Sequence, residues 1–251
     1  MSMISSGGED LGDSLFTAPD DERRLMRALA RLGCDRLHGW AITGGVATAT
    51  HLRVCGDEGF ERGLNDLDLV VPSLLAIPDH VATNYLTNHI HPDAKPGRML
   101  LQIVDPDHAL RIDIFSPFGN ALSRIRRTSL GTCSVAIVSI EDLASRLASL
   151  LMDLARDEPV PAKHARDFRR LHQFVDWGRI DEVWRDYRRS WHPATYKSAS
   201  SLALQLAQAR ADLLIVPLYS RDVYSACLNC KESGPFRLAA REAVRSVLGY
   251  C

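Results

Sequence analysis

Three aspartates carry the plainest chemistry in this chain. Asp66 and Asp68 stand at i and i+2 in the run Asp66-Leu67-Asp68-Leu69-Val70-Val71. On a strand, that spacing turns both carboxylates to one face. Asp113 lies between Ile112 and Ile114, and alternation puts it on the face opposite those two. A lone carboxylate among β-branched neighbours is locally unfavourable, and broken local rules concentrate at functional sites. Hard divalent ions such as Mg²⁺ or Mn²⁺ want oxygen ligands and travel with phosphates. Three converging carboxylates would hold two such ions. The phosphate side is offered by Thr43-Gly44-Gly45. Two glycines at a strand-to-helix turn let the backbone approach an anion closely, at the end of the helix that favours negative charge. Asp-x-Asp alone is common on the solvent face of an amphipathic strand. The glycine turn before it and the Ile-Asp-Ile after it give it meaning.

A strand must lead into the glycines and a helix must leave them. The apolar run Trp40-Ala41-Ile42 predicts a strand over 38–42, and residues 46–54 a helix. The twenty residues between Gly45 and Asp66 include a Gly-, Asp- and Glu-rich loop over 55–63. A strand over 64–71 then carries Asp66 and Asp68. Upstream, Asp20-Asp21-Glu22 and a periodic Leu25, Met26, Leu29, Leu32 predict a helix stopped by Gly33. Downstream come a helix from Ile77 through Leu86, a loop over 89–97, strands over 99–104 and 109–115, and one more over 135–138. Ser139-Ile140-Glu141-Asp142 reads as a capping box with Asp in the Glu/Gln place. From there the pattern is helical, over 143–155, 162–177, 180–187, 201–216 and 235–248. The expected class is α+β, a mixed sheet with flanking helices followed by a helical C-terminal domain. The divisions are a disordered leader over 1–18, an α+β domain over 19–140 and the helical domain over 141–251.

Ile42-Thr43-Gly44-Gly45-Val46-Ala47, then Arg62 and Asp66 to Val71, resemble the nucleotidyltransferase fold shared with DNA polymerase β. Within it they are similar to the bacterial AbiEii-type group of abortive-infection and toxin–antitoxin systems. Ser139 to Leu143 and the run Lys163-His164-Ala165-Arg166-Asp167-Phe168 resemble two later segments of that group. The resemblance covers roughly residues 38–175. It implies that Thr43, Gly44 and Gly45 contact a nucleoside triphosphate, and that Asp66, Asp68 and Asp113 bind Mg²⁺ or Mn²⁺. Asp113 would also be a base toward the acceptor hydroxyl. Lys163 would sit near phosphates, and Asp167, one helical turn on, would orient Lys163 or the acceptor. An ordinary surface pair between Lys163 and Asp167 stays open as the other reading. The implied reaction moves a nucleoside monophosphate from a triphosphate to an RNA end such as tRNA, a protein or a small molecule, and releases pyrophosphate. Two alternatives remain: a non-catalytic binding or antitoxin-like module acting with a cognate partner protein, and a zinc-stabilised nucleic-acid-binding protein.

Composition narrows the classes. Residues 1–120 carry 10 Lys/Arg against 17 Asp/Glu, and residues 121–251 carry 20 against 14. A basic second half suits a polyanionic partner or a set of solvated arginine faces. No run of apolar residues is long enough for a membrane span. With six cysteines and no secretory signal, the expectation is reduced thiols in a cytoplasm. Cys227-x-x-Cys230 and the terminal Cys251 leave three readings open: a zinc site completed by Cys133, His192 or the terminal carboxylate, a redox pair, or buried thiols. Trp177, Trp184 and Trp191 recur every seven residues among arginines. They read either as one helix's core seam or as a stacking surface for nucleic acid. His89 and His91 fall in the expected loop.

Overall fold

The computed structural model describes residues 15–33, 38–57, 62–90, 97–108 and 110–216. Cys227, Cys230, Cys251 and the helix expected over 235–248 lie outside the described residues, as do residues 1–14. Helix α1 (Pro19–Leu32) begins with three acids in its first turn and ends at Gly33, which takes the left-handed φ of 72° that a C-cap glycine adopts freely. Its stripe of Leu25, Ala28, Leu29 and Leu32 is buried. Asp21 accepts a hydrogen bond from the Leu64 amide at 3.0 Å, tying this helix to the segment that enters the aspartate strand. Phe16, placed in the leader by the sequence, is buried in the core.

Strand β1 (Ala41–Thr43) runs directly into helix α2 (Gly44–Val54), which starts at the first glycine rather than after the second. After it come β2 (Asp66–Val70), α3 (Asp79–Asn84), β3 (Leu86–Ile90), β4 (Met99–Asp105), β5 (Leu110–Phe115), β6 (Arg126–Leu130) and β7 (Cys133–Ile137). The seven strands form one mixed sheet in the order β3-β4-β5-β2-β1-β7-β6. The aspartate strand β2 is therefore interior, antiparallel to β1 and parallel to β5. The register sets Asp68 opposite Thr43 on one side and Asp113 on the other. Asp66 faces Arg111.

Helices α4 (Ile140–Leu151), α5 (Ala162–Leu171), α6 (Ile180–Tyr187) and α7 (Tyr196–Ala209) follow. Helix α4 is the hub, packing against α2, α5, α6 and α7. One contiguous apolar core runs from Phe16 to Ala207.

Several expectations are corrected. The loop expected over 89–97 begins as strand β3, and the helix expected through Leu86 stops at Asn84. Leu86–Ile90 has a polar centre; pairing with β4 makes it a strand. Strand β6 was not foreseen either, because Arg126-Arg127-Thr128-Ser129 carries no apolar alternation. It is a sheet edge, where exposed charge discourages pairing with another chain. The helix expected over 162–177 ends at Leu171. The one expected over 201–216 runs Tyr196–Ala209, because Thr195 caps it by accepting from the Ser198 amide at 3.3 Å. Of the three tryptophans, Trp184 is fully buried while Trp177 and Trp191 are 52% and 40% exposed, so they form no common seam.

The capping box at α4 is realised. The Asp142 amide donates to the Ser139 hydroxyl oxygen at 3.0 Å, and that hydroxyl donates to the Asp142 carboxylate at 2.6 Å. The same carboxylate receives Arg124 through two bonds, at 2.6 and 3.1 Å, and the Tyr187 hydroxyl at 3.0 Å. The box is thus the anchor between the sheet and α6. Ser139→Ala is expected to lower unfolding free energy by about 1–2 kcal/mol, read as a lower urea midpoint at unchanged slope.

Candidate active site

Strand alternation sends Leu67 and Leu69 into the core and leaves Asp66 and Asp68 on the opposite face. Asp113 joins them from β5. The three carboxylates bring ligand oxygens within 4.8 Å of one another, the one such acidic, His or Cys group among the described residues. Like charges this close oppose ionisation. Burial first, then Asp66 and Asp113, push the Asp68 carboxyl up to about 8, against relief from Lys163 and Arg111. Burial likewise pushes Asp113 up to about 6, with Arg111 and a hydrogen bond from Gln102 pulling the other way. A carboxylate set under this strain is short of positive charge. Its all-oxygen donors fit a hard divalent ion.

Thr43 closes β1 directly beside Asp68, and the chain turns into α2 at Gly44. Gly44 has φ of +60°, and a Cβ there would collide with the Asp68 carboxylate. This glycine therefore serves the carboxylate as well as the turn. Gly45 serves a different neighbour. A Cβ on it would lie 2.6 Å from the Arg62 guanidinium carbon. Gly45, Arg62 and Asp66 line one shallow, open pocket. The long chain segment between glycines and aspartates thus returns to its start.

Lys163 on α5 acts on the triad through space, lowering the Asp68 carboxyl. Asp167 is on the same helix but its partner is Arg62, at 2.8 Å, with both side chains nearly buried. Its carboxylate thus holds the arginine that a Cβ on Gly45 would meet. His164 is held neutral, its imidazole pushed down to about 3 by burial and then by Lys163, Arg146 and Arg62. That list also maps a cationic wall at α5.

Two residues escaped the sequence reading. Arg111 lies two positions before Asp113, so strand alternation puts both on one face. Its guanidinium pairs with Asp66 and lies 3.2 Å from Asp113. Burial opposes its charge, and Asp113, Asp66 and Asp68 more than offset that, holding the guanidinium above its ordinary value. Gln102 on β4 sits opposite Asp113 and donates to it at 2.9 Å. Period-2 counting could have found Arg111; Gln102 needs the strand register.

No protein-family model and no curated protein matches the chain. Among solved structures it is similar to a crystal structure described as an antigenic nucleotidyltransferase-like protein from Paracoccidioides brasiliensis. The two are 18% identical, with 78% of this chain and 91% of that one covered, at a TM-score of 0.43. No described helix is long and apolar enough to cross a membrane.

Proposed function

We propose that the chain is a metal-dependent nucleotidyltransferase that moves a nucleoside monophosphate from a triphosphate to an acceptor hydroxyl. The observation that carries this reading is the row Thr43–Asp68–Asp113 across three strands, with Gly44 pressed against the Asp68 carboxylate. The row sets the carboxylates beside a helix N-terminus, so cation ligands and anion donors share one edge. Asp66, Asp68 and Asp113 would hold Mg²⁺ or Mn²⁺, which neutralises phosphate charge and polarises the attacking oxygen. The backbone at Gly44 and Gly45 would receive phosphate oxygens, with Lys163 and Arg62 supplying charge from the side. Asp113 would also serve as the base that takes the proton from the acceptor hydroxyl. Most of the rate would come from holding nucleophile, phosphorus and leaving group in line. The acceptor is an RNA end, a protein or a small molecule.

Incubation with α-labelled nucleoside triphosphates, Mg²⁺ or Mn²⁺ and total RNA or protein tests this. Label is expected on one acceptor class with wild type and none with Asp66→Ala/Asp68→Ala. Equal labelling by both proteins, or none by either, sinks the transferase reading. A second reading, a nucleotide-binding or antitoxin-like module without turnover, is favoured by the Arg111 guanidinium already lodged against two of the three carboxylates. It predicts triphosphate binding with no label transferred.

A further inference from the structure

Arg111 is the unusual member of this site. Strand register places it opposite Asp66, and strand alternation puts it on the face of Asp113. Its guanidinium bridges the two carboxylates and is 14% exposed. A guanidinium in that position does part of what a metal ion does. It offers directed donors and a positive charge to oxygens that would otherwise repel one another. It also occupies lone pairs that a metal would use. With all three carboxylates ionised, as ligation of a metal requires, Arg111 and Lys163 leave one formal negative charge in the cluster. A bare divalent ion overshoots that balance and meets a fixed cation at contact distance. An ion arriving with a polyphosphate brings the missing negative charge with it.

We infer that Arg111 is a built-in counter-cation that keeps the free divalent ion out of the triad and admits it only together with a phosphate-bearing ligand. The inference rests on the triad being the metal site, as proposed above. Arg111 here is a positioning residue with an electrostatic veto, not a group that touches the reacting phosphorus. It makes loading ordered: the assembled carboxylates wait on a guanidinium, and the ion and the triphosphate enter as one complex. It also explains how three crowded carboxylates stay converged in a folded chain without metal.

The test is Mn²⁺ binding, followed by electron paramagnetic resonance and by the metal-induced rise in thermal midpoint. Both are read with Mn²⁺ alone and with Mn²⁺ plus a non-hydrolysable nucleoside triphosphate, after subtracting Mn²⁺ held by the analogue in protein-free samples. Wild type is expected to bind Mn²⁺ alone weakly and to gain on the order of tenfold or more when the analogue is present. Arg111→Gln is expected to bind Mn²⁺ alone on the order of tenfold more tightly than wild type, and Arg111→Lys, which keeps the charge, to stay near wild type. Without metal, Arg111→Gln is expected to melt lower. If Arg111→Gln binds free Mn²⁺ no more tightly than wild type, or Arg111→Lys tightens as much as Arg111→Gln, the inference is overturned. If the variants do not fold, wild type decides it: free Mn²⁺ bound as tightly without the analogue as with it overturns the inference. Asp66→Ala/Asp68→Ala separates the two levels. When that variant loses Mn²⁺ while Arg111→Gln behaves like wild type, only the role of Arg111 falls. When no protein binds Mn²⁺ even with the analogue, the metal-site reading falls with it.

Discussion

Asp68→Asn is expected to make the metal-free protein more stable at pH 8 and to abolish nucleotide transfer. The Asp68 carboxyl is raised from an ordinary 3.8 to about 8, chiefly by burial and then by Asp66 and Asp113. Between those two values the unfolded chain releases a proton that the folded chain retains. Stability therefore falls as pH rises through that window. An amide has no charge to desolvate, and its N–H groups can donate to the neighbouring carboxylates. The gain is expected to be about 1–3 kcal/mol at pH 8, to shrink steadily toward pH 4 and to vanish only below about pH 3, where both states of the wild type hold the proton. Asp113, raised to about 6, shares the penalty, so the gain is smaller than the Asp68 shift alone implies. Under saturating Mn²⁺ with a triphosphate analogue the order reverses, because only wild type gains binding free energy. Activity is expected to fall by on the order of a thousandfold or more, the scale of losing a preorganised charge partner. Denaturation at pH 4, 6 and 8, with and without ligand, reads all of this. A variant no more stable than wild type at pH 8, or one stabilised equally by the ligand, contradicts it. The trade is the one expected of a site that stores repulsion for the sake of a cation.

The parts of this site that follow from short-range rules could be read from the sequence. Alternation put Asp66 and Asp68 on one face, and it set Asp113 off from Ile112 and Ile114. Glycine chemistry marked the turn at Gly44 and the helix stop at Gly33. The cap at Ser139 was legible because its two local bonds lie within four residues, while the Arg124 and Tyr187 bonds to the same carboxylate were not. What failed were the terms that depend on partners far along the chain. The pair between Asp167 and Arg62, far back along the chain, leaves no local signal. Gln102 reaches Asp113 only because β4 and β5 pair in one register. Strand β3 has no pattern of its own and takes its form from β4. Arg111 was within reach of period-2 counting, yet a charge at a strand start looks like a solvated edge until β2 is seen beside it.

The spacing between the glycines and the aspartates bears on Gly44. Twenty residues between Gly45 and Asp66 look like a reason to separate them. Helix α2, eleven residues long from Gly44, takes up part of that separation, and Gly45 and Asp66 line one pocket. Sequence separation costs closure entropy only slowly, and the buried contacts of α2 outweigh it. Position along the chain is thus a poor guide to which glycine matters; contact is a better one.

Gly44→Ala is accordingly expected to damage the site far more than Gly45→Ala. At Gly44 two costs combine. The φ of +60° is one that a residue with a Cβ holds at a cost of about 1 kcal/mol. The new methyl would also fall within the Asp68 carboxylate, whose strand is locked between β1 and β5. Either the helix start lifts away or Asp68 rotates out of the triad. Displacement by about 1 Å at a reacting centre costs on the order of a hundredfold in rate, and the same loss is expected in Mn²⁺ affinity in the presence of the analogue. At Gly45 the φ is ordinary, and the methyl meets only the far end of the Arg62 side chain. That guanidinium can yield while keeping one bond to Asp167, so the expected loss is on the order of tenfold or less, confined to triphosphate affinity. Parallel titrations of the two variants with Mn²⁺ and the analogue read the difference. If the two lose metal affinity equally, or if Gly44→Ala keeps it, the glycine is there for the turn alone and Asp68 is not held by it.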